Sequence, residues 1–213
     1  FQRFDGYEGT LPRRLSIQWR PQFTLPVEEN LDEKLHETVY SVEYQDILVL
    51  VLNSTGQLEE QTEYIREKLT KTDAKWKIVT NHHSVFSPAE GRDFEYARKV
   101  WKPMFEKYGV DLVLNGHDHT YARGHTPVKS QNVNESGIFK TLYVTSVSGP
   151  KQYKLDKDQI KNYEIDGYKS DKMGEETQFF QVINIENNRL TYSAYTTLGD
   201  LYDRAIITKD FSN

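Results

Sequence analysis

Residues Val110–Arg123 read VDLVLNGHDHTYAR. A short apolar run ends at Asn115-Gly116 and is followed at once by two histidines, His117 and His119, two residues apart. In an extended segment a period of two places both imidazoles on one side. That spacing is too long for one tight chelate ring. It suits two ligands that straddle a pair of metal ions, which lie about 3.5–4 Å apart in two-metal sites. The plainer alternative is a loop carrying two surface histidines. A Gly-His-x-His directly after a buried strand is more specific than a lone histidine.

Upstream, Trp76–Asn81 (WKIVTN) reads as another buried strand that stops at His82-His83. Between the two strands, Phe94, Ala97, Trp101, Met104, Phe105 and Tyr108 fall on one helical face over Asp93–Tyr108. Gly109 supplies a stop, and Pro103 predicts a kink near the last turn. Strand–helix–strand units of this kind make their two strands parallel. Parallel strands present their carboxyl ends at one edge, where ligands bind in such sheets. His82-His83 and His117-x-His119 are therefore expected on one rim.

The rest of the chain supplies partners for this unit. Val39–Tyr44 alternates and Ile47–Leu52 is continuously apolar, which predicts a hairpin whose second strand is buried on both faces. Ser54 and Gln57 fit a capping box for a helix running to about Lys71, with Leu58, Ile65 and Leu69 inward. After Arg123 the pattern loosens to about Lys140, and Thr141–Val147 reads as a strand. Lys151–Glu176 is polar and weakly patterned, which predicts a surface excursion. Phe179–Ile185 and Arg189–Thr196 flank Asn187-Asn188 as a hairpin, and Leu201–Thr208 is expected to close the sheet. Phe1–Asn30 carries glycines, prolines and scattered aromatics (Phe4, Tyr7, Trp19, Phe23), an irregular arm. His36 and His125 show no partner in the sequence and read as surface residues.

Composition excludes several classes. The 213 residues allow one sizeable core, and a net charge of −5 without a basic stripe gives no nucleic-acid surface. No apolar run approaches the roughly 20 residues of a membrane span. Cysteine is absent, so any metal must be held by His, Asp, Asn or Glu.

NGHDHTY at Asn115–Tyr121 and VTNHHSVF at Val79–Phe86 resemble the last two signature blocks of the calcineurin-like metallophosphoesterases, in particular the purple acid phosphatase-like branch. Phrases such as KPMFEKYGVDLVLNGHDHTYARG and YVTSVSGPK resemble its bacterial members. The fold implied is α/β: the C-terminal half of a layered β-sandwich of mixed sheets flanked by helices. By position, the resemblance makes His82, His117 and His119 metal ligands, His82 and His117 on one ion and His119 on the other. It implies two metal ions, drawn from Fe, Zn or Mn, and a metal-activated hydroxide attacking a phosphoester in line. His83 would contact substrate or orient a ligand. Arg92 and Arg123 are candidates for phosphate, since a guanidinium fork matches a phosphate edge, and each also fits a structural role. Tyr121 would line the site or pack beneath it. Ser84 and Phe86 stand where the family commonly has proline and tyrosine.

The family's earlier blocks, an Asp-x-His, a Gly-Asp and a Gly-Asn-His, are missing from this sequence; Gly199-Asp200 lies in the wrong context. The expectation is a C-terminal half: residues 1–38 as an irregular segment continuing from a missing upstream half, and 39–213 as the C-terminal half of the domain. Such a chain would hold its metals only in part or not at all, be inactive alone, and pair with the missing half or with itself. The resembling branch implies a periplasmic or secreted setting. A competing reading is a non-catalytic module whose histidines bind one metal weakly and whose surface serves protein contact. A third is a chain whose histidines are incidental.

Overall fold

The computed structural model describes residues 15–128 and 139–210. Phe4 and Tyr7, expected to pack from the N-terminal arm, lie outside them. The described part of the arm holds one helical turn, α1 (Trp19–Gln22), whose Trp19 ring rests 4.7 Å from that of Phe23.

The hairpin expected at the start of the domain is present as β1 (Tyr40–Tyr44) and β2 (Ile47–Val51), paired antiparallel. Helix α2 (Glu60–Lys71) follows, burying Ile65 and Leu69, and then β3 (Trp76–Thr80). The capping box does not form. The helix starts only at Glu60, because Ser54 Oγ is taken by His83 and the Gln61 side chain binds the carbonyls of Asn53, Gly56 and Gln57.

Between β3 and β4 (Leu112–Asn115) the helix has two parts, a π-helical stretch over Ala97–Trp101 and α3 (Lys102–Lys107). The wider turn sits just ahead of Pro103. Proline has no N–H to give and its ring crowds the carbonyl four residues back, so the helix widens there.

Strands β2, β3 and β4 are mutually parallel, as the strand–helix–strand unit predicts. The sheet continues through β5 (Tyr121–Val128), β6 (Phe139–Thr145) and β7 (Lys169–Gly174) in the order β1-β2-β3-β4-β6-β5-β7. Two of these elements were not legible. Strand β5 runs to Val128 where the sequence looks loose. The polar stretch after Lys151 folds α4 (Lys157–Asn162), a 3-10 turn over Tyr163–Asp166, and edge strand β7. Gly124 lies where any Cβ would meet the Tyr168 ring and the Lys169 carbonyl, and this is what lets β5 approach β7. The last three strands, β8 (Phe179–Glu186), β9 (Arg189–Thr196) and β10 (Leu201–Thr208), form a second, antiparallel sheet. Leu201–Thr208 thus closes that sheet and not the first.

The large sheet separates two cores by strict alternation. Leu48, Leu50, Val79, Val113 and Tyr143 face the helices with Ile65, Trp101 and Phe105. Trp76, Ile78, Leu112, Leu142 and Val144 face the small sheet with Phe179, Leu190 and Tyr192. No helix among the described residues is long and apolar enough to cross a membrane.

A buried polar knot pins the two sheets together. Arg123 on β5 donates to Asp203 on β10 from Nε at 2.7 Å and from Nη2 at 3.0 Å, and its Nη1 reaches Asp171. Tyr121 Oη donates to the same Asp203 carboxylate at 2.7 Å. Burial pushes the Asp203 carboxyl up, but the hydrogen bonds from Arg123 and Tyr121 outweigh it and hold it below its usual range. Asp203→Asn strands part of a buried guanidinium and should lower unfolding free energy by about 3 kcal/mol in denaturant titration. With the folded value below the unfolded one, the Asp203 contribution is intact above about pH 4 and lost as pH falls through the folded value. The difference between wild type and Asp203→Asn should therefore shrink on acidification.

Candidate metal and phosphate site

The carboxyl ends of β2, β3 and β4 meet at one edge. A groove there is lined by Val51, Leu52, Thr80, Asn81, His82, Leu114, Asn115 and Gly116. Two asparagines staple the β3 and β4 loops to each other. Asn115 Nδ2 donates to the Asn81 carbonyl and to Asn81 Oδ1, both at 3.0 Å, and Asn81 Nδ2 donates to the His83 carbonyl. The Gly116 N–H donates to the His82 carbonyl at 3.0 Å. The loop after β2 joins them, as Ser54 Oγ lies 2.8 Å from His83 Nδ1 and accepts the His83 N–H.

The turn that carries His117 and His119 is strained. The Asp118 N–H donates to the Gly116 carbonyl at 2.8 Å, closing a three-residue turn on His117, whose φ is 71°. His119 also lies in the left-handed region, at φ 52°. Such conformations are uncommon for residues other than glycine and persist where surrounding contacts over-determine them. Here the anchor is Asp118, fully buried between the histidines, accepting from Ser87 Oγ at 2.6 Å. Burial pushes its carboxyl up to about 6, and its second oxygen is buried with no hydrogen-bond partner among the described residues.

The structure brings His82, His83, His117 and Arg92 together. His117 Nδ1 is 3.1 Å from His82 Nε2, and the His83 and His117 rings lie 4.2 Å apart. Arg92 reaches His117 Nε2 with one Nη and the Tyr153 hydroxyl with the other, at 3.0 Å. His119 is turned aside: its Nδ1 lies 3.0 Å from the Lys151 carbonyl, and its ring packs edge-on against Tyr153 at 5.0 Å. Tyr121 is buried beneath the rim with its hydroxyl on Asp203 and Tyr192, and Arg123 is committed to the inter-sheet knot. His36 contacts the Leu31 carbonyl and His125 contacts Asp171, so both have partners the sequence did not reveal.

Two imidazole nitrogens bound to one ion at about 2.0–2.1 Å, at right to tetrahedral angles, stand roughly 3 Å apart. The His82–His117 nitrogens, here in direct contact, are spaced within that range and could supply two ligands of a larger set. Among the described residues no group of three or more His, Asp or Glu side chains is gathered to hold a metal. A complete coordination sphere is thus not found among them.

Sequence reasoning missed Asn81, Ser54, Ser87, Lys151 and Tyr153. Their shared signal is position: all lie in segments that follow the carboxyl end of a parallel strand. Tyr153 is tied to the histidine turn by its N–H on the His119 carbonyl at 3.2 Å. Hydrogen bonds from Lys151 and then Arg92 lower its phenol from the ordinary value.

A model of the calcineurin-like phosphoesterases matches residues 8–121, just over half of the chain. The chain belongs to that family, and several of the relatives it is similar to are purple acid phosphatases. It is 25% identical over 147 residues to purple acid phosphatase 7 of Arabidopsis thaliana, covering 67% of this chain and 38% of that protein. It is 34% identical over 73 residues to an uncharacterized protein of Mycobacterium tuberculosis, covering 31% of this chain and 14% of that one. The purple acid phosphatase PPD1 from yellow lupin seeds shares its fold, with a TM-score of 0.64 at 19% identity over 89% of this chain and 35% of that one. The chain therefore spans well under half the length of these relatives.

Ser87→Ala leaves the Asp118 carboxylate buried with neither oxygen bonded. It should cost about 1–3 kcal/mol of stability in thermal or denaturant unfolding. Ser87→Thr, which keeps the hydroxyl, should recover most of that loss.

Proposed function

We propose that this chain supplies part of the site of a metal-dependent phosphoester hydrolase, with further ligands coming from beyond the described residues. The observation that carries the reading is the 3.1 Å approach of His82 Nε2 and His117 Nδ1 on adjacent strand ends, with the Arg92 guanidinium beside them. Family membership supports the reaction class, and the short span relative to the relatives supports an incomplete ligand set.

His82 and His117 would hold one ion, and His119, which here contacts the Lys151 carbonyl, would hold a second. A bound divalent ion supplies Lewis-acid neutralisation of charge on the phosphoryl oxygens. The chain's own residues do the rest. Arg92, held on His117 and Tyr153, would add a fixed positive charge and its remaining N–H groups for the non-bridging oxygens. Ser54 fixes the plane of His83, which would offer that imidazole to a bound ester beside His117. The Asn81–Asn115 staple sets the spacing between the two histidine loops. Tyr121 supports the turn from beneath.

Titration of the 213-residue chain with Zn(II) or Mn(II) tests this. Metal binding should weaken at least about 10-fold in His82→Ala and His117→Ala and be unchanged in His125→Ala. Any longer protein containing these residues should lose at least about 100-fold in turnover of a generic phosphomonoester on His117→Ala, with its unfolding transition kept. Metal binding indifferent to both histidines would overturn the reading. Two bound ions with full turnover by the 213-residue chain would overturn the incomplete ligand set.

A further inference from the structure

The segment after β6 returns to the rim and places a second group of polar side chains beside the histidines. Backbone contacts fix it there: the His119 ring is on the Lys151 carbonyl, and the Tyr153 N–H is on the His119 carbonyl. Two cations converge on the Tyr153 ring. Arg92 Cζ lies 4.8 Å and Lys151 Nζ 4.9 Å from its centroid, and Arg92 Nη2 donates to the Tyr153 hydroxyl. Neither cation makes an ion pair with a carboxylate of the described residues, whereas Arg98, Arg123 and Lys209 all do. The adjacent carboxylate, Asp118, is fully buried and turned onto Ser87. Two positive charges gathered at one aromatic ring beside His117 and His119, with no carboxylate ion pair among the described residues, match a compact dianion with oxygen acceptors.

We infer that Arg92, Lys151 and Tyr153 form an oxyanion subsite that takes a phosphoryl dianion next to the His82–His117 pair. This deepens the phosphoester reading above and rests on it for its biological meaning, but its binding chemistry needs no metal. Tyr153 acts as the platform that holds both cations at one point, and its hydroxyl orients the guanidinium. Lys151 adds charge from a position that the turn of His119 fixes. The subsite selects either the reacting phosphoryl group or, in a diphosphate, the one beside it.

Isothermal titration of the chelator-stripped chain with inorganic phosphate at low ionic strength tests the subsite apart from catalysis. Saturable binding is expected, weakening about 5-fold in Lys151→Met and by at least as much in Arg92→Met. Lys71→Met removes the same charge from the far end of α2, next to the opposite edge of the sheet, and should bind as wild type does. Pyrophosphate binding more tightly than phosphate, with both lost in the same variants, assigns the subsite to the neighbouring phosphoryl group; equal affinities assign it to the reacting one. Unchanged thermal melting in Lys151→Met shows that the loss is not unfolding. No saturable phosphate binding by wild type, or wild-type affinity in Lys151→Met, overturns the subsite. Saturable phosphate binding retained while Zn(II) or Mn(II) binding proves indifferent to His82→Ala and His117→Ala would instead count against the metal reading alone.

Discussion

Everything at the candidate site depends on parallel pairing between β2, β3 and β4. Each of these strands is packed on both faces, by helices on one side and the small sheet on the other. A slip of one residue would move every apolar side chain to the wrong core, so the register is strongly specified. With register fixed, the chain has no choice about where the strands end. Ser54, His82-His83 and the His117 turn emerge side by side because three apolar runs stop at the same depth. The site is in this sense a by-product of core packing, refined afterwards by asparagine staples.

Much of that was legible in the sequence. Apolar runs bounded by Asn-Gly or Asn-Ser gave the strands, and a helical stripe between two of them gave the parallel geometry that joins His82 to His117. What was not legible depended on tertiary choices. Strand β5 carries Arg123, His125 and Thr126, polar residues that look loose until Asp203, Asp171 and the small sheet are in place. Strand β7 is an edge strand of charged residues, which blunts an open edge and erases the apolar signal. Ser54 has the right neighbours for a helix cap, but a histidine 29 positions away competes for its hydroxyl and wins. Arg123 and Arg92 were indistinguishable as sequence, and only the structure separates them, placing Asp203 beside Arg123 and turning Arg92 to His117 and Tyr153.

The histidine turn shows how local strain is maintained. Two successive left-handed histidines, with one buried carboxylate between them, are not a stable arrangement for an isolated peptide. They are held by Ser87 from one loop and by the backbone around Lys151 from another, so that three separate segments agree on the same turn. The position of the histidine turn thus follows from the scaffold around it.

The inter-sheet core also has a bearing on the order in which the molecule can be built. Trp76 on β3 has its indole N–H on the Asn187 carbonyl, 111 positions further along the chain, and shares its pocket with Phe179 and Leu190. Until the last three strands have been synthesised, the apolar underside of the large sheet has nothing to close over it. Contacts of such long sequence separation make folding slow, since loop closure must precede the gain from packing. A nascent chain arrested after β7 would carry a finished histidine rim above an open hydrophobic floor, a natural substrate for chaperones and a hazard for aggregation.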